Sequence, residues 1–254
     1  MGWLILLAGG GVGLLIGSFI GAAALRLPRD EGIVFGRSHC DSCGRTLRAR
    51  DMVPVLSCLA SGGKCRTCKA PIDHQHVLAE LGGAFVGVTA VWAGGATPEG
   101  FAIALFGWQA LLLALLDARH YWLPYPLVAS LGLSALILPV LAFLDGSDLS
   151  HTALVQVSGG ALGFALLAAP ALFYRAVLNR EGMGAADPWL LGAIGLWVGT
   201  MGVVMTLLLA AAAGLAVAGT LRLSGRAIDG QSALPLGTLM TLSAYVLMVV
   251  GRVL

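Results

Sequence analysis

Long uninterrupted apolar runs constrain this chain more than any other feature. Residues 3–25, 77–93, 101–116, 126–144 and 152–174 carry at most one charged side chain each. About 17–25 apolar residues suffice for a helix to cross a bilayer. In lipid every backbone N–H and C=O must be paired internally, so runs of this length are read as helices. Three further runs follow: a short one at 188–198, its continuation at 201–221 beyond Gly199-Thr200, and a last one at 233–250. The expected architecture is an all-α polytopic membrane protein with about eight transmembrane helices. The chain is 58% hydrophobic and 11% charged, whereas soluble domains are about a quarter charged. Its 36 glycines suit membrane helices that approach closely at small residues.

The charges that remain are unevenly placed. Nine of the fifteen basic residues fall between Arg26 and Lys69. Lys and Arg accumulate on the cytoplasmic side of membrane proteins. With the N-terminus outside and eight crossings, Arg119, Arg175, Arg180, Arg222 and Arg226 join that cluster on the inner side, and only Arg252 falls outside. The first apolar run has no basic residue before it and Arg26 just after it, the reverse of a secretory leader. It is read as a retained first helix with its N-terminus outside and its C-terminal end in the cytoplasm. The basic segment lacks interleaved aromatic residues, so no nucleic-acid partner is expected.

Residues 26–76 form a polar insert between the first two runs. It contains Cys40-x2-Cys43 and Cys65-x2-Cys68, separated by 21 residues. Two such pairs suit one tetrahedral zinc ion. In a reducing cytoplasm disulfides are rare, and four thiolates leave no open position, so the expected role is structural. A metal staple also accounts for folding in a segment this small. Cys58 is the odd thiol, read as packing. His39, His74 and His76 are the other nitrogen donors nearby.

Two aspartates stand at the ends of apolar runs. Asp117 closes 101–116, and Asp187 opens 188–198 behind Gly182-Met183-Gly184-Ala185-Ala186. An Asp at a helix centre in lipid costs about 2.5–3.5 kcal/mol on insertion scales. The crossing count puts both at the cytoplasmic edge, at similar depth. Neighbouring carboxyls cannot both ionise easily and tend to share a proton, an arrangement that activates water for attack on a peptide bond. The glycines and Pro188 break the helix at Asp187, and irregular backbone at membrane depth belongs where it lines a cavity. Asp117 and Asp187 are therefore the candidate catalytic pair.

These segments together resemble the prepilin peptidases, or type IV leader peptidases. Gly17-Ser18-Phe19 with Arg26-Leu27-Pro28 is similar to the family's first-helix signature. Pro54-Val55-Leu56-Ser57 and Gly63-Lys64-Cys65-Arg66-x-Cys68 resemble the surroundings of its second zinc knuckle. Glu80-Leu81 and Gly83 resemble the start of its second helix. Asp117-x6-Pro124 resembles the first aspartate motif, and Gly182-Met183-Gly184-x-Ala186-Asp187 the second, of the GxGD type. Leu234-Pro235-Leu236-Gly237 resembles a motif of the last helix. Departures stand at Ala186 for glycine, Tyr125 for an acidic or amide residue, Gly21 for Asn, Cys58 for Trp and Trp189 for Lys.

The resemblance implies an intramembrane aspartic endopeptidase that removes leader peptides from prepilins or type II secretion pseudopilins at the cytoplasmic face. It also implies N-methylation of the new terminus from S-adenosylmethionine, associated with the zinc-bearing insert. The domain reading is a first helix at 1–25, the insert at 26–76 and a peptidase core at 77–254. Glu80 is the candidate for contact with the substrate's charged N-terminus. Two other classes compete. A proton-coupled transporter would use the aspartates as a relay, but no internal repeat is visible and the carboxylates sit at the edge. A non-catalytic scaffold would need the zinc insert and tolerate loss of both aspartates.

Overall fold

A computed structural model describes residues 2–33, 38–178, 183–224 and 234–253. Gly182 of the glycine motif, Arg37, Arg180 and Arg226, and the expected start of the last helix at 233 lie outside the described residues. The described chain is all-helical: α1 (Gly2–Arg26), α2 (Leu56–Ala60), α3 (His74–Gly94), α4 (Pro98–His120), α5 (Tyr125–Ser134), α6 (Ile137–Leu144), α7 (Leu149–Leu178), α8 (Asp187–Leu223) and α9 (Leu236–Val253). It divides into two compact units, 1–100 and 101–254.

Among the described residues, six helical stretches are long and apolar enough to cross a membrane, with a shorter apolar helix at Leu236–Arg252. One of the six, Asp187–Leu223, is two helices that meet at a kink. The runs 188–198 and 201–221 are therefore separate helices, and with the short last helix the apolar helical stretches number eight. The kink falls where the sequence turns, at Gly199, with φ 70° and ψ −174°. This backbone region is essentially restricted to glycine. Helices α5 and α6 together make the fourth stretch, Tyr125–Leu144. Large apolar side chains such as Leu4, Leu15, Phe85, Leu133, Phe143, Leu154 and Leu215 are exposed. A helix surface of this kind suits lipid and not water.

In the first unit, α1 packs along α3. A Cβ at Gly17 would collide with the Ala79 carbonyl, and one at Gly83 with the Gly13 carbonyl. The two backbones are therefore in direct contact, as small residues permit in membrane helices. In the second unit, α7 packs along α8 in the same manner, with Gly159 against Gly195. The core of this unit is Phe106, Leu113, Leu116, Leu131, Leu190, Leu191, Ile194 and Met240. Phe106 meets Trp197 edge-on with ring centroids 5.4 Å apart. Buried polar groups are paired: Trp197 Nε1 donates to the Leu131 carbonyl at 2.7 Å, and Gln156 Nε2 to the Ala135 carbonyl at 3.0 Å. Both carbonyls lie at the C-terminal end of α5, where regular intrahelical partners run out, and each accepts a second local bond, Leu131 from Ser134 Oγ and Ala135 from the Leu138 N–H.

Candidate active site and metal centre

Asp117 sits in the last turn of α4, and Asp187 is the first residue of α8. Both are buried, at 5% and 7% exposure, inside the same unit. They lie close enough for the charge on Asp117 to act on Asp187 through space. Each carboxyl is tied to backbone. The Gly184 N–H donates to Asp187 Oδ2 at 3.1 Å. A Cβ on Gly184 would stand 3.1 Å from that same oxygen, so this glycine lets the preceding loop close over the carboxyl. Ala186 adopts φ −88° and ψ −15°. That is ordinary right-handed backbone, so the Cβ at this departure costs nothing.

Asp117 is held from the far end of the chain. The Thr238 N–H donates to its Oδ2 at 2.7 Å, and Thr238 Oγ1 is 3.0 Å from the same oxygen. Gly237 passes so near that a Cβ there would meet Asp117 Cγ at 3.1 Å and Leu123 Cδ1 at 2.9 Å. Two helix ends in the same unit thus carry carboxyls that are buried and paired with N–H donors. Chemically, such a pair can hold one proton and move it to or from a bound water.

In the first unit Cys40, Cys43, Cys65 and Cys68 bring their sulfurs within 4.8 Å of one another. Cys40 Sγ and Cys68 Sγ are 3.9 Å apart, near the ~3.8 Å edge of a tetrahedron with Zn–S of ~2.3 Å. The two knuckles share one construction. Cys40 N–H donates to Arg45 O and Cys65 N–H to Ala70 O, and the residue after each second cysteine, Gly44 or Lys69, has a positive φ. The N–H groups of Cys68 and Thr67 hold the Cys65 thiol down at about 6. The Ala70 N–H acts the same way on Cys68, but desolvation and the neighbouring thiols push that group up to about 11. One thiolate discourages the next until a cation neutralises them, which is the donor chemistry of a soft divalent metal. None of the five cysteines is in a disulfide. Cys58 lies on α2, outside the four-sulfur cluster.

Known proteins place this arrangement. The profile of the Bacterial Peptidase A24 N-terminal domain matches residues 12–93, and that of the Type IV leader peptidase family matches residues 103–219. A prepilin leader peptidase/N-methyltransferase of Burkholderia pseudomallei is 34% identical, over 81% of this chain and 73% of its own length. The type 4 prepilin-like proteins leader peptide-processing enzyme of Escherichia coli is 31% identical, over 91% of this chain and 88% of its own. The chain belongs to the type IV leader peptidase family. A prepilin leader peptidase/N-methyltransferase of Pseudomonas aeruginosa is 29% identical over 94% of this chain and 88% of its own. No solved structure matches the chain.

The leader-peptidase family membership makes the chain a peptidase, and its described helices make it a multi-pass membrane protein. Its remaining motif residues fall as follows. Glu80, 8% exposed on α3, accepts a hydrogen bond on Oε2 from the Val55 N–H at 2.6 Å. Val55 itself has φ 61° and ψ −52°, a conformation rare for a β-branched residue. Tyr125 is exposed at the start of α5, and Trp189 is half-exposed with its ring 4.7 Å from that of Phe164. His76 Nε2 is 3.8 Å from Asp41 Oδ2. Two residues escaped the sequence reading. Asp51 accepts from Arg45 at 3.0 Å and Arg66 at 3.1 Å, one guanidinium from each knuckle. Thr238 follows the Leu234–Gly237 motif directly, and adjacency to that motif was the one signal that pointed to it.

Proposed function

We propose that this peptidase is a membrane-embedded aspartic endopeptidase that removes the leader peptides of type IV prepilins or pseudopilins, with Asp117 and Asp187 as its catalytic pair. The observation that carries the reading is the burial of two carboxyls at helix ends of one compact unit, each anchored by a backbone N–H, in a chain of this family. The names of the relatives point the same way: they are leader peptidases for prepilins. In the cleavage step one carboxylate takes a proton from water as its oxygen attacks the scissile carbonyl carbon. The other carboxyl gives its proton to the carbonyl oxygen. The tetrahedral intermediate then collapses: the C–N bond breaks, the leaving amine takes up the proton held by the first carboxyl, and one hydroxyl of the diol returns its proton to the second carboxylate as the new carbonyl forms. The distribution of Lys and Arg supports an insert on the cytoplasmic side and an N-terminus outside. The proposed partition is a first helix at 1–25, the insert at 26–76 and the peptidase core at 77–254.

Zinc is the metal proposed for Cys40, Cys43, Cys65 and Cys68. Four thiols at tetrahedral spacing fit it, and bound there it supplies cross-linking and no reaction chemistry. N-methylation of the cleaved terminus is a second activity, favoured by a cavity of about 570 Å³ in the first unit, lined among others by Asp41, Asp73, His76 and Glu80. Its size falls in the range of about 300–1,000 Å³ for small-molecule sites, and its lining offers both these carboxylates and the cations Arg26, Arg29, Arg45, Lys64 and Arg66 to a ligand that carries both signs of charge. Purified protein in detergent, given a prepilin-like peptide, is expected to cleave it. Asp117→Asn and Asp187→Asn are expected to insert normally and to leave the peptide intact. Cleavage surviving in either variant would remove the dyad. Substrate-driven pH change in liposomes without cleavage would instead favour a transporter.

A further inference from the structure

The carboxyl pair has a third contributor, and it comes from α9. Thr238 is the third residue of that helix, where backbone N–H groups have no partner inside the helix. The Thr238 N–H is directed to Asp117 Oδ2 at 2.7 Å. Its hydroxyl oxygen lies 3.0 Å from Asp117 Oδ2 and 3.0 Å from the Ala114 carbonyl oxygen. A hydroxyl has one proton to give and two lone pairs to receive with. Thr238 can therefore donate to an ionised Asp117, or donate to Ala114 and receive a proton bond from a neutral Asp117. The contact survives both protonation states that a proton-transferring carboxyl must visit. Thr238 is half-buried, and among the described residues its hydroxyl meets Asp117 Oδ2 and the Ala114 carbonyl, both on α4, so it is tied to the turn that carries Asp117.

We propose that Thr238 is a positioning residue for Asp117, anchoring Oδ2 through both amide and hydroxyl so that Oδ1 is the oxygen that meets the water shared with Asp187. The inference rests on the dyad reading. Its physical basis is that an anchored carboxyl loses a rotational freedom that an unanchored one keeps, and a misplacement of about 1 Å at a reacting group costs about 10²-fold in rate. Gly237 serves the same end, since any side chain there would occupy the space through which α9 reaches Asp117.

The test is steady-state cleavage of a prepilin-like peptide by the full-length protein in detergent, comparing wild type with Thr238→Val, Thr238→Ala and Thr238→Ser. Loss of a hydrogen bond to a charged group is expected to lower kcat about tenfold or more in the Val and Ala variants. KM should stay within about twofold, because the substrate contacts are untouched. Thr238→Ser, which keeps the hydroxyl, should recover most of the rate. The Ala variant covers the case in which Val disturbs the first turn of α9, and thermal melting of each variant identifies those that fold. Wild-type kcat in either folded variant, a rise in KM at constant kcat, or failure of Ser to rescue would each overturn the proposal. Asp117→Asn and Asp187→Asn run alongside. If either still cleaves, the dyad has failed; if both are dead while Thr238→Val is fully active, only the positioning role has failed.

Discussion

In the polar insert, four sulfurs meet within 4.8 Å through two knuckles of nearly identical short-range geometry. In the second unit, Asp117 and Asp187 sit on helices separated by α5, α6 and α7, and each is held by an N–H from a loop or helix start. Among the described residues of the insert Cys65 is the one buried apolar side chain, whereas α4, α8 and α9 bury an apolar core around Asp117 and Asp187. A segment that cannot bury apolar surface must be held by metal and ion pairs. A segment that can bury it holds its polar atoms by placing whole helices. The chain sets four converging thiols and ion pairs in the one region against packed helices in the other, and each arrangement has its own way of failing.

The comparison is broken most severely by removing a thiol. Structural zinc contributes about 10–16 kcal/mol in small zinc modules, so Cys65→Ser or a strong chelator should abolish stoichiometric metal binding. The insert should then become sensitive to trypsin, read by elemental analysis and by mapping the cuts. Next come the carboxyls. Asp117→Asn or Asp187→Asn should take cleavage below detection, a loss of about 10⁴-fold or more at the upper end of the share of general acid–base catalysis, while the melting temperature holds or rises. Equal losses in melting and rate would mean that the carboxyls are structural.

Smaller effects sharpen the picture. Gly237→Ala must push either Leu123 or the Asp117 carboxyl aside, and about a tenfold loss of kcat is expected from the displaced geometry. Glu80→Gln keeps the shape but weakens the bond that Val55 makes to a charged acceptor. That change should cost the first unit about 1–2 kcal/mol, measured by denaturant unfolding, with KM for the peptide nearly constant. A large rise in KM would instead assign Glu80 to the substrate's N-terminus.

The smallest effect is a pH dependence. The Arg48 N–H, then the Arg45 and Arg66 guanidinium groups, hold the Asp51 carboxyl below its ordinary 3.8, against the cost of desolvation. A depressed carboxylate stabilises the fold fully above its ordinary value and loses that contribution as pH falls through the folded one. Protection of the insert against acid-stable proteases should therefore fade below about pH 3.8, and Asp51→Asn should remove that acid-dependent step.

Much of this was legible in the residues. Apolar runs marked the helices because lipid rejects unpaired backbone, and the turn expected at Gly199-Thr200 is there as a positive φ that only glycine adopts readily. The number of spans was legible too, because the break at Gly199 separates two helices where hydropathy shows two runs. The paired CxxC spacing led directly to four converging sulfurs, because a knuckle is local geometry. The aspartates were visible as costly exceptions in apolar surroundings.

What the sequence by itself determined is therefore what depends on neighbours along the chain: helix positions, the metal knuckles, the family and the candidate carboxyls. Tertiary structure alone decided which distant groups meet. Thr238 reaches Asp117 across 121 positions, Glu80 secures Val55 across 25, and Asp51 joins the arginines of two knuckles. No periodicity or spacing encodes such pairs. Their partners are selected by how helices and turns pack, and a buried polar atom accepts whichever donor that packing delivers.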